Sequence, residues 1–321
     1  MPPLPRSLRA LVVMIRRLPS LLTALLVCGA ALVARADSDA PFLWQVQGPR
    51  ATHYLLGSVH LLPDGADELP AGIEDAYDAV DGLVFETDIG AIAQPQVQVA
   101  LLAAGRSASG LKSEIGEKMY ARVLGRAAQL GMPAGVCDPF KAWFCALTLE
   151  VFAYRKAGFT GDSGVDRRLY RWAREDGKSI AWFESPAEHL GLFTGMDETL
   201  SREFLAAALD EDPVGDDPRA LLRAWRENDV AAVEKLTGEL RRRYPRVYAR
   251  LLSERNRRWL PKLLGILDGA SPQMVVVGAA HWVGRDGLLA QLARHGDRVL
   301  PYIPSGQQLV TLAQAQSVPM R

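Results

Sequence analysis

Two histidines of this chain occur in nearly the same local sequence, although they lie far apart. His60 is part of "YLLGSVHLLP" (54–63), and His281 is part of "VVVGAAHWVG" (275–284). In both, an apolar run predicts a buried strand, a glycine permits a turn that a side chain would obstruct, and the histidine comes three residues after that glycine. Ligands of open α/β sheets collect at the carboxyl ends of strands. We therefore expect the two imidazoles to face a common crevice.

Two glutamates are placed at predicted strand ends in a similar way. Glu86 lies in the run "LVFETD", and Glu184 ends the run "KSIAWFE". A carboxylate with apolar neighbours is costly to bury unless it is paired, protonated or bound to a metal. Two imidazoles and one carboxylate are the ligands of many catalytic metal sites, because they bind a divalent ion and leave positions open for water. His60 and His281, together with one of the strand-end glutamates, are therefore a candidate set of metal ligands.

A further segment, "LLSERNRRW", places Arg255 and Asn256 on a predicted helix with an inward apolar side. Arg255 is a candidate for neutralising a site carboxylate or holding the oxyanion of a tetrahedral intermediate, and Glu184 is a candidate general base. Asn256 is grouped with these catalytic candidates. Each also has a structural interpretation: an ordinary salt bridge for Arg255, a cap or an arginine pair for Glu86, and a helix-start acid for Glu184. The other histidines of the chain are interpreted as structural: His53, His189 and His295.

Strands alternate with helices along the chain. A hairpin around "GPR" is predicted before the first histidine motif, and a helix "SGVDRRLYRWAREDG", capped by Ser163 or Asp166, precedes the "KSIAWFE" strand. From about 91 to 156 the pattern is helical and indicates an inserted layer. The last part predicts a strand, a helix and a strand. These elements indicate an α/β (α+β) fold with a mixed central sheet, flanking helices and the inserted helical layer.

The first 36 residues predict a signal peptide, because arginines precede an apolar run and the small-residue site "ARA" ends at Ala36. No later segment is apolar enough to predict a membrane span. Removal of 1–36 takes away five arginines and no acids, so 37 basic against 37 acidic residues become 32 against 37. We expect 37–321 to form one periplasmic or secreted domain without a nucleic-acid partner.

Cys137 and Cys145 are the cysteines of the predicted mature chain. An even pair in an exported protein raises the question of a disulfide. If a helix begins at Pro139, the interval places the two sulfurs roughly 12 Å apart along the helix axis, too far to bond unless Cys137 folds back from the loop. A disulfide and two buried free thiols both stay open at this point.

Five segments in a fixed order resemble a known family. They are "LLGSVHLLP", "LVFETD", "GVDRRLYRWAREDGKSIAWFE", "ERNRRW" and "VVVGAAHWVGRDGLLAQLARHGDRV". They resemble the TraB/PrgY/GumN family, which is similar to the Tiki metalloproteases, over about 40 to 305. The resemblance implies a fold related to erythromycin-esterase-like and ChaN-like proteins. It also implies a metal-dependent peptidase whose motif residues match His60, His281 and Glu86, with manganese or cobalt rather than zinc as the ion.

The leading hypothesis is therefore an exported metal-dependent hydrolase in which water activated by the ion attacks the carbonyl of a peptide or small-molecule substrate. Enzyme activity is an open question, because two alternatives use the same crevice. One is a non-catalytic periplasmic protein that binds a peptide or small ligand. The other is metal-free hydrolysis with a histidine as the base. Metal content and cleavage of a peptide library separate the three.

Overall fold

The structure is a computed structural model and describes residues 38–65, 68–210 and 218–304. The predicted signal peptide, 1–36, lies outside the described residues. The strands are β1 (Leu43–Gln47), β2 (Thr52–Ser58), β3 (Leu62–Pro63), β4 (Gly82–Thr87), β5 (Phe159–Thr160), β6 (Ser179–Glu184), β7 (Gln273–Gly278) and β8 (Val299–Pro301). The helices are α1 (Ala71–Asp78), α2 (Ile89–Ile92), α3 (Pro95–Ala104), α4 (Leu111–Gln129), α5 (Ala142–Lys156), α6 (Val165–Glu175), α7 (Pro186–Thr194), α8 (Glu198–Leu209), α9 (Pro218–Arg226), α10 (Val230–Arg243), α11 (Pro245–Tyr248), α12 (Glu254–Leu267), α13 (Ala279–Trp282) and α14 (Leu288–His295).

Six strands form one mixed sheet in the order β6-β4-β7-β2-β1-β8. The first four are parallel to one another, whereas β1 pairs antiparallel with β2 and with β8. The predicted mixed sheet and the β1–β2 hairpin are confirmed. The last strand–helix–strand segment is not a simple βαβ unit with neighbouring strands, because β2 and β1 lie between β7 and β8. The consequence for function is that β2, β4, β6 and β7 all end at the same edge.

The central strands are buried on both faces, which explains their uninterrupted apolar runs. All six residues of β4 are buried. On one face Phe85 packs edge-on against Tyr170 of α6, and on the other Phe183 stacks on Trp259 of α12. Burial of a phenylalanine side chain contributes about 1.5–3 kcal/mol relative to its exposure. This packing fixes the sheet between α6 and α12, the helices that supply residues to its carboxyl edge.

The predicted inserted helical layer has a hydrophobic core of its own, built largely from α4, α5 and α8. Cys137 and Cys145 form a disulfide in this layer, with their Cα atoms 5.3 Å apart. The predicted helix start at Pro139 was wrong, because α5 begins at Ala142. Turns before it fold Cys137 back, and the amide of Phe140 donates to the Cys137 carbonyl at 3.0 Å. The structure thus decides the cysteine question in favour of the bonded pair.

Within the described residues, no helix is both long enough and apolar enough to cross a membrane.

Candidate functional site at the carboxyl edge of the sheet

The ends of the parallel strands place the predicted residues side by side. Glu86 lies on β4 and Glu184 is the last residue of β6. His60 follows the end of β2, and His281 lies on α13, which begins directly after β7. Arg255 reaches the same edge from α12. The structure therefore brings together residues from five separate parts of the sequence.

Arg255 lies at the centre of this group and is only 5% exposed. Its Nε atom donates to both oxygens of Glu184, at 3.0 and 3.2 Å, and Nη2 donates to Glu86 Oε2 at 2.5 Å. Its Nη1 atom donates to Nε2 of His281 at 3.1 Å. One guanidinium group thus pairs with two buried carboxylates from different strands and offsets one of their two negative charges. An arginine pair for Glu86 and a salt bridge for Arg255, the two structural alternatives that the sequence left open, are therefore both present.

Glu184 is available to Arg255 because other residues cap the helix that follows. Ser185 and Glu188 form a reciprocal capping box at the start of α7. Glu184 instead accepts a hydrogen bond from the indole Nε1 of Trp259 at 3.1 Å. The capping box is the one that the sequence indicates, and Glu184 is more than an acid at the helix start because it bonds Arg255 and Trp259.

The surroundings favour ionised glutamates and a neutral His281. Burial opposes ionisation of Glu86, but Arg255 and the two motif histidines hold its pKa well below the usual range. Burial likewise opposes the charge of Glu184, and hydrogen bonds from His189 and Arg255 lower its pKa to about 2. Burial lowers the pKa of His281 to about 3. Its imidazole is therefore neutral near pH 7.

Each motif histidine is oriented through its Nδ1 atom. His60 Nδ1 lies 2.9 Å from Asp166 Oδ2, and His281 Nδ1 lies 2.6 Å from Asn256 Oδ1. The amide of Asn256 is itself fixed, because its Nδ2 donates to the carbonyl of His281 at 3.1 Å. Since both partners of the Nδ1 atoms are acceptors, the protons belong on Nδ1. The two Nε2 atoms lie 3.9 and 3.8 Å from the same oxygen, Oε1 of Glu86.

Sequence reasoning missed two residues of this cluster, Asp166 and His189. The predicted cap of α6 by Ser163 or Asp166 was wrong, because its N-cap is Gly164 without a side-chain bond. Asp166 faces His60 instead and raises its pKa, although water around the 58% exposed imidazole screens the carboxylate. Gly164 permits this approach, since a Cβ atom there would lie 2.3 Å from the His60 carbonyl oxygen.

His189 is also part of the cluster, although its helical pattern led to a structural interpretation. Its Nδ1 atom lies 3.4 Å from Glu184 Oε2, and its side chain lines the crevice. The available signal was its position on the helix that starts directly after Glu184. Residues near the start of such a helix lie close to the strand end that precedes it.

A cavity of about 310 Å³ opens in front of the cluster. Its polar lining includes His60, Glu86, Asp166 and His189, and its apolar lining includes Phe85, Ile89, Ile92 and Val276. Arg255, Asn256 and Glu184 are buried behind it. A molecule in the crevice would therefore meet His60 and Glu86 first. These three buried residues are placed to hold Glu86 and His281 in position, and not to contact a ligand.

The family resemblance implies a divalent ion, for which His60, Glu86 and His281 are the candidate ligands. Among the described residues, no group of three or more His, Cys, Asp or Glu side chains is arranged to hold a metal ion. The arrangement is incomplete because Arg255 already donates to His281 Nε2 and to Glu86 Oε2. The donor types nevertheless fit a divalent ion, because two Nδ1-anchored imidazoles converge on one carboxylate oxygen. An ion there would compete with Arg255 for His281.

Comparison with known proteins gave one match. The model of the TraB/PrgY/gumN family matches residues 42–301. This range runs from the hairpin strand β1 to β8 and includes every residue of the cluster. A search among curated proteins and a search among solved structures found no match. The erythromycin-esterase-like and ChaN-like relationship stays a prediction.

Proposed function

The chain belongs to the TraB/PrgY/gumN family, and from this membership and the strand-end cluster we propose that it is an exported, metal-dependent hydrolase that cleaves peptides. One observation carries the proposal. The Nε2 atoms of His60 and His281 face the same oxygen of Glu86, while both Nδ1 atoms are held from behind. Acceptors that fix the second ring nitrogen are typical of metal-ligating histidines.

His60, Glu86 and His281 would hold the ion, which supplies Lewis-acid polarisation of a substrate carbonyl when bound. The remaining groups keep these donors in place. Asp166 and Asn256 orient the imidazoles, and the amide of Gly278 donates to Glu86 Oε1 at 2.8 Å. These contacts fix the donors from behind, and binding of an ion would still have to displace Arg255 from His281 Nε2.

Proton transfer to the leaving amine is best assigned to His189. It lines the crevice, and its Nδ1 atom lies 3.4 Å from Glu184 Oε2 and 3.4 Å from Arg255 Nη2, so these two groups hold the ring at the crevice. Glu184 and Arg255 then act behind the reacting groups. Glu184 as a general base and Arg255 as an oxyanion partner would each have to contact the substrate, and we do not propose these roles because both residues are buried behind the crevice.

The exported location is supported by the disulfide between Cys137 and Cys145. Disulfides persist in oxidising compartments such as the bacterial periplasm and the extracellular space, and are rare in the cytosol. A periplasmic or secreted location is therefore part of the proposal.

Metal analysis of the purified mature protein tests the proposal. After incubation with manganese, cobalt or zinc and removal of free ion, we expect one bound manganese or cobalt in the wild type and a large loss in His60→Ala and His281→Ala. His295→Ala is the matched control, since this exposed histidine pairs with Asp297 away from the cluster. A wild-type protein that retains no metal would contradict the proposal.

Metal-free hydrolysis is the second candidate, and the contacts of Arg255 with His281 and Glu86 favour it. In that case the pair of His60 and Asp166 would act as the general base. Cleavage of a peptide library that persists with a chelator and is lost in His60→Ala would select this mechanism. A library that is bound but left intact would select the non-catalytic binding protein.

A further inference from the structure

Three buried polar atoms of the crevice have no hydrogen-bond partner within the described part of the protein. They are Ser58 Oγ, Thr87 Oγ1 and Asp166 Oδ1, and all three residues line the cavity of about 310 Å³. Ser58 is 2% exposed and Thr87 is 7% exposed. Buried polar groups are nearly always paired, because an unpaired group destabilises the folded state. Their concentration in one cavity therefore calls for a functional explanation.

The register of the sheet places the two hydroxyl-bearing residues at one level. Ser58 is the partner of Gly278, and Phe85 is the partner of Val276. Thr87 lies two residues beyond Phe85, as Gly278 lies two beyond Val276. Since side chains alternate along a strand, Ser58 and Thr87 belong to the same face, on either side of Gly278.

Gly278 leaves the space between them free of a side chain. A Cβ atom there would lie 3.3 Å from Glu86 Oε1 and 3.5 Å from His60 Nε2. The backbone between the two hydroxyl-bearing residues is thus directly beside the groups assigned to catalysis. A molecule held by the hydroxyls would be presented to those groups.

The lining selects the kind of ligand. Each hydroxyl can donate and accept, and Asp166 Oδ1 accepts, so the set matches a group with both an N–H and a C=O. Charge alone does not select the ligand, because Arg167 lines the cavity together with Glu86 and Asp166. Phe85 and Ile89 provide an apolar surface beside the polar atoms.

We propose that Ser58 and Thr87 are positioning residues that bind the main-chain amide of an extended peptide, whose apolar side chain lies against Phe85 and Ile89. The inference rests on the proposed function for its choice of substrate, but it concerns binding and not cleavage. In the free protein the two hydroxyls stay unpaired and destabilise the fold, and the peptide backbone supplies their partners when it binds.

The first test is the sign of a stability change. Thr87→Val and Ser58→Ala each remove an unpaired buried hydroxyl, so we expect both to keep or raise the Tm. Thr237→Val and Ser201→Ala are the matched controls, because these buried hydroxyls are paired with the Glu234 carbonyl at 3.0 Å and the Trp143 amide at 2.9 Å. The controls should lower the Tm. A clear fall in Tm for Thr87→Val would show an internal partner and overturn the proposal.

The second test measures binding by NMR titration in a chelator, which prevents metal-dependent turnover. The probes are N-acetylated, C-amidated Gly-Leu-Gly and Gly-Glu-Gly. We expect the wild type to bind the leucine peptide more tightly than the glutamate peptide. Each of Thr87→Val and Ser58→Ala should weaken binding of the leucine peptide about 3- to 10-fold, the factor for one neutral hydrogen bond. Thr237→Val and Ser201→Ala should bind it like the wild type.

The outcomes separate this proposal from that of hydrolysis. No binding of either probe to the wild type, or unchanged binding in both hydroxyl variants, would overturn the positioning role whether or not the protein cleaves peptides. Weakened binding in the variants, with no cleavage of any peptide by the wild type, would support the positioning role and overturn the hydrolase.

Discussion

Arg255 is the residue on which the geometry of the cluster depends. Its guanidinium group lies over the ring of Trp259, 4.5 Å from the ring centroid, and the same ring packs against the imidazole of His281 at 4.5 Å. Breaking a buried ion pair is far more costly than its net attraction suggests, because the remaining charges stay buried without compensation. Loss of Arg255 would leave Glu86 and Glu184 in that state.

We therefore expect Arg255→Met to lower the free energy of unfolding by roughly 3–5 kcal/mol, the range for removal of one partner from a buried pair. Arg258→Met is the control, since the Arg258 side chain is 55% exposed and donates one long hydrogen bond to Glu184, at 3.4 Å. Its loss should cost about 0–1 kcal/mol. Urea unfolding of the two variants provides the comparison. An equal loss of unfolding free energy in the two variants would mean that the buried ion pairs of Arg255 stabilise the fold no more than an exposed one.

At the scale of residues, the sequence predicted which side chains converge, and it could not predict their partners. Apolar runs that end in polar residues are local signals, and they led to His60, Glu86, Glu184 and His281. The bond from Asp166 to His60 depends on how α6 packs against the loop after β2. No local pattern encodes that approach, so Asp166 was interpreted as a helix cap.

Among the elements, the helical layer is the part whose stability depends on a covalent link. Its core is separate from that of the sheet, and Cys137 and Cys145 both belong to it. The start of α5 at Ala142 was not predictable from Asp138 and Pro139, because aspartate and proline also suit the turns that precede the helix. Those turns are what bring the two sulfurs together.

We expect the Cys137→Ser/Cys145→Ser double variant to be less stable by about 2–3 kcal/mol, the chain-entropy value for a loop of this length. The measurement is urea unfolding with and without a reducing agent. The reductant should lower the stability of the wild type and leave that of the double variant unchanged. If it lowers both equally, its effect does not come from this disulfide.

The whole molecule should be sensitive to acid through its buried cluster. Glu184 has its pKa lowered from 4.5 to about 2, so its contribution to stability is complete above pH 4.5 and is lost as the pH falls toward 2. His281 acts in the same direction. Its pKa is lowered from 6.5 to about 3, so the unfolded chain takes up a proton below pH 6.5 that the folded protein refuses.

We therefore expect the free energy of unfolding in a chelator to fall steadily from pH 6.5 to pH 3. The share of Glu184, from pH 4.5 down to 2, is on the order of 3 kcal/mol. Glu184→Gln should flatten the profile below pH 4.5, whereas Glu74→Gln, at an exposed position of α1, should not. A profile for Glu184→Gln that parallels the wild type would show that this carboxylate does not link folding to pH.

The class of fold was predictable from alternating strand and helix patterns, whereas the order of strands was not. The apolar run of β7 predicts a strand buried on both faces, but it does not indicate which strands are its neighbours, because that depends on packing across the whole chain. In the structure β7 lies between β4 and β2.

That central place of β7 sets a condition on biosynthesis. During synthesis β2 and β4 are made long before β7 (Gln273–Gly278). Since β7 lies between them in the sheet, β2 and β4 cannot be joined into one sheet until β7 has been made. The nascent polypeptide also lacks His281 until then. Fragments that end before β7 can therefore neither complete the sheet nor bring His60, Glu86 and His281 together.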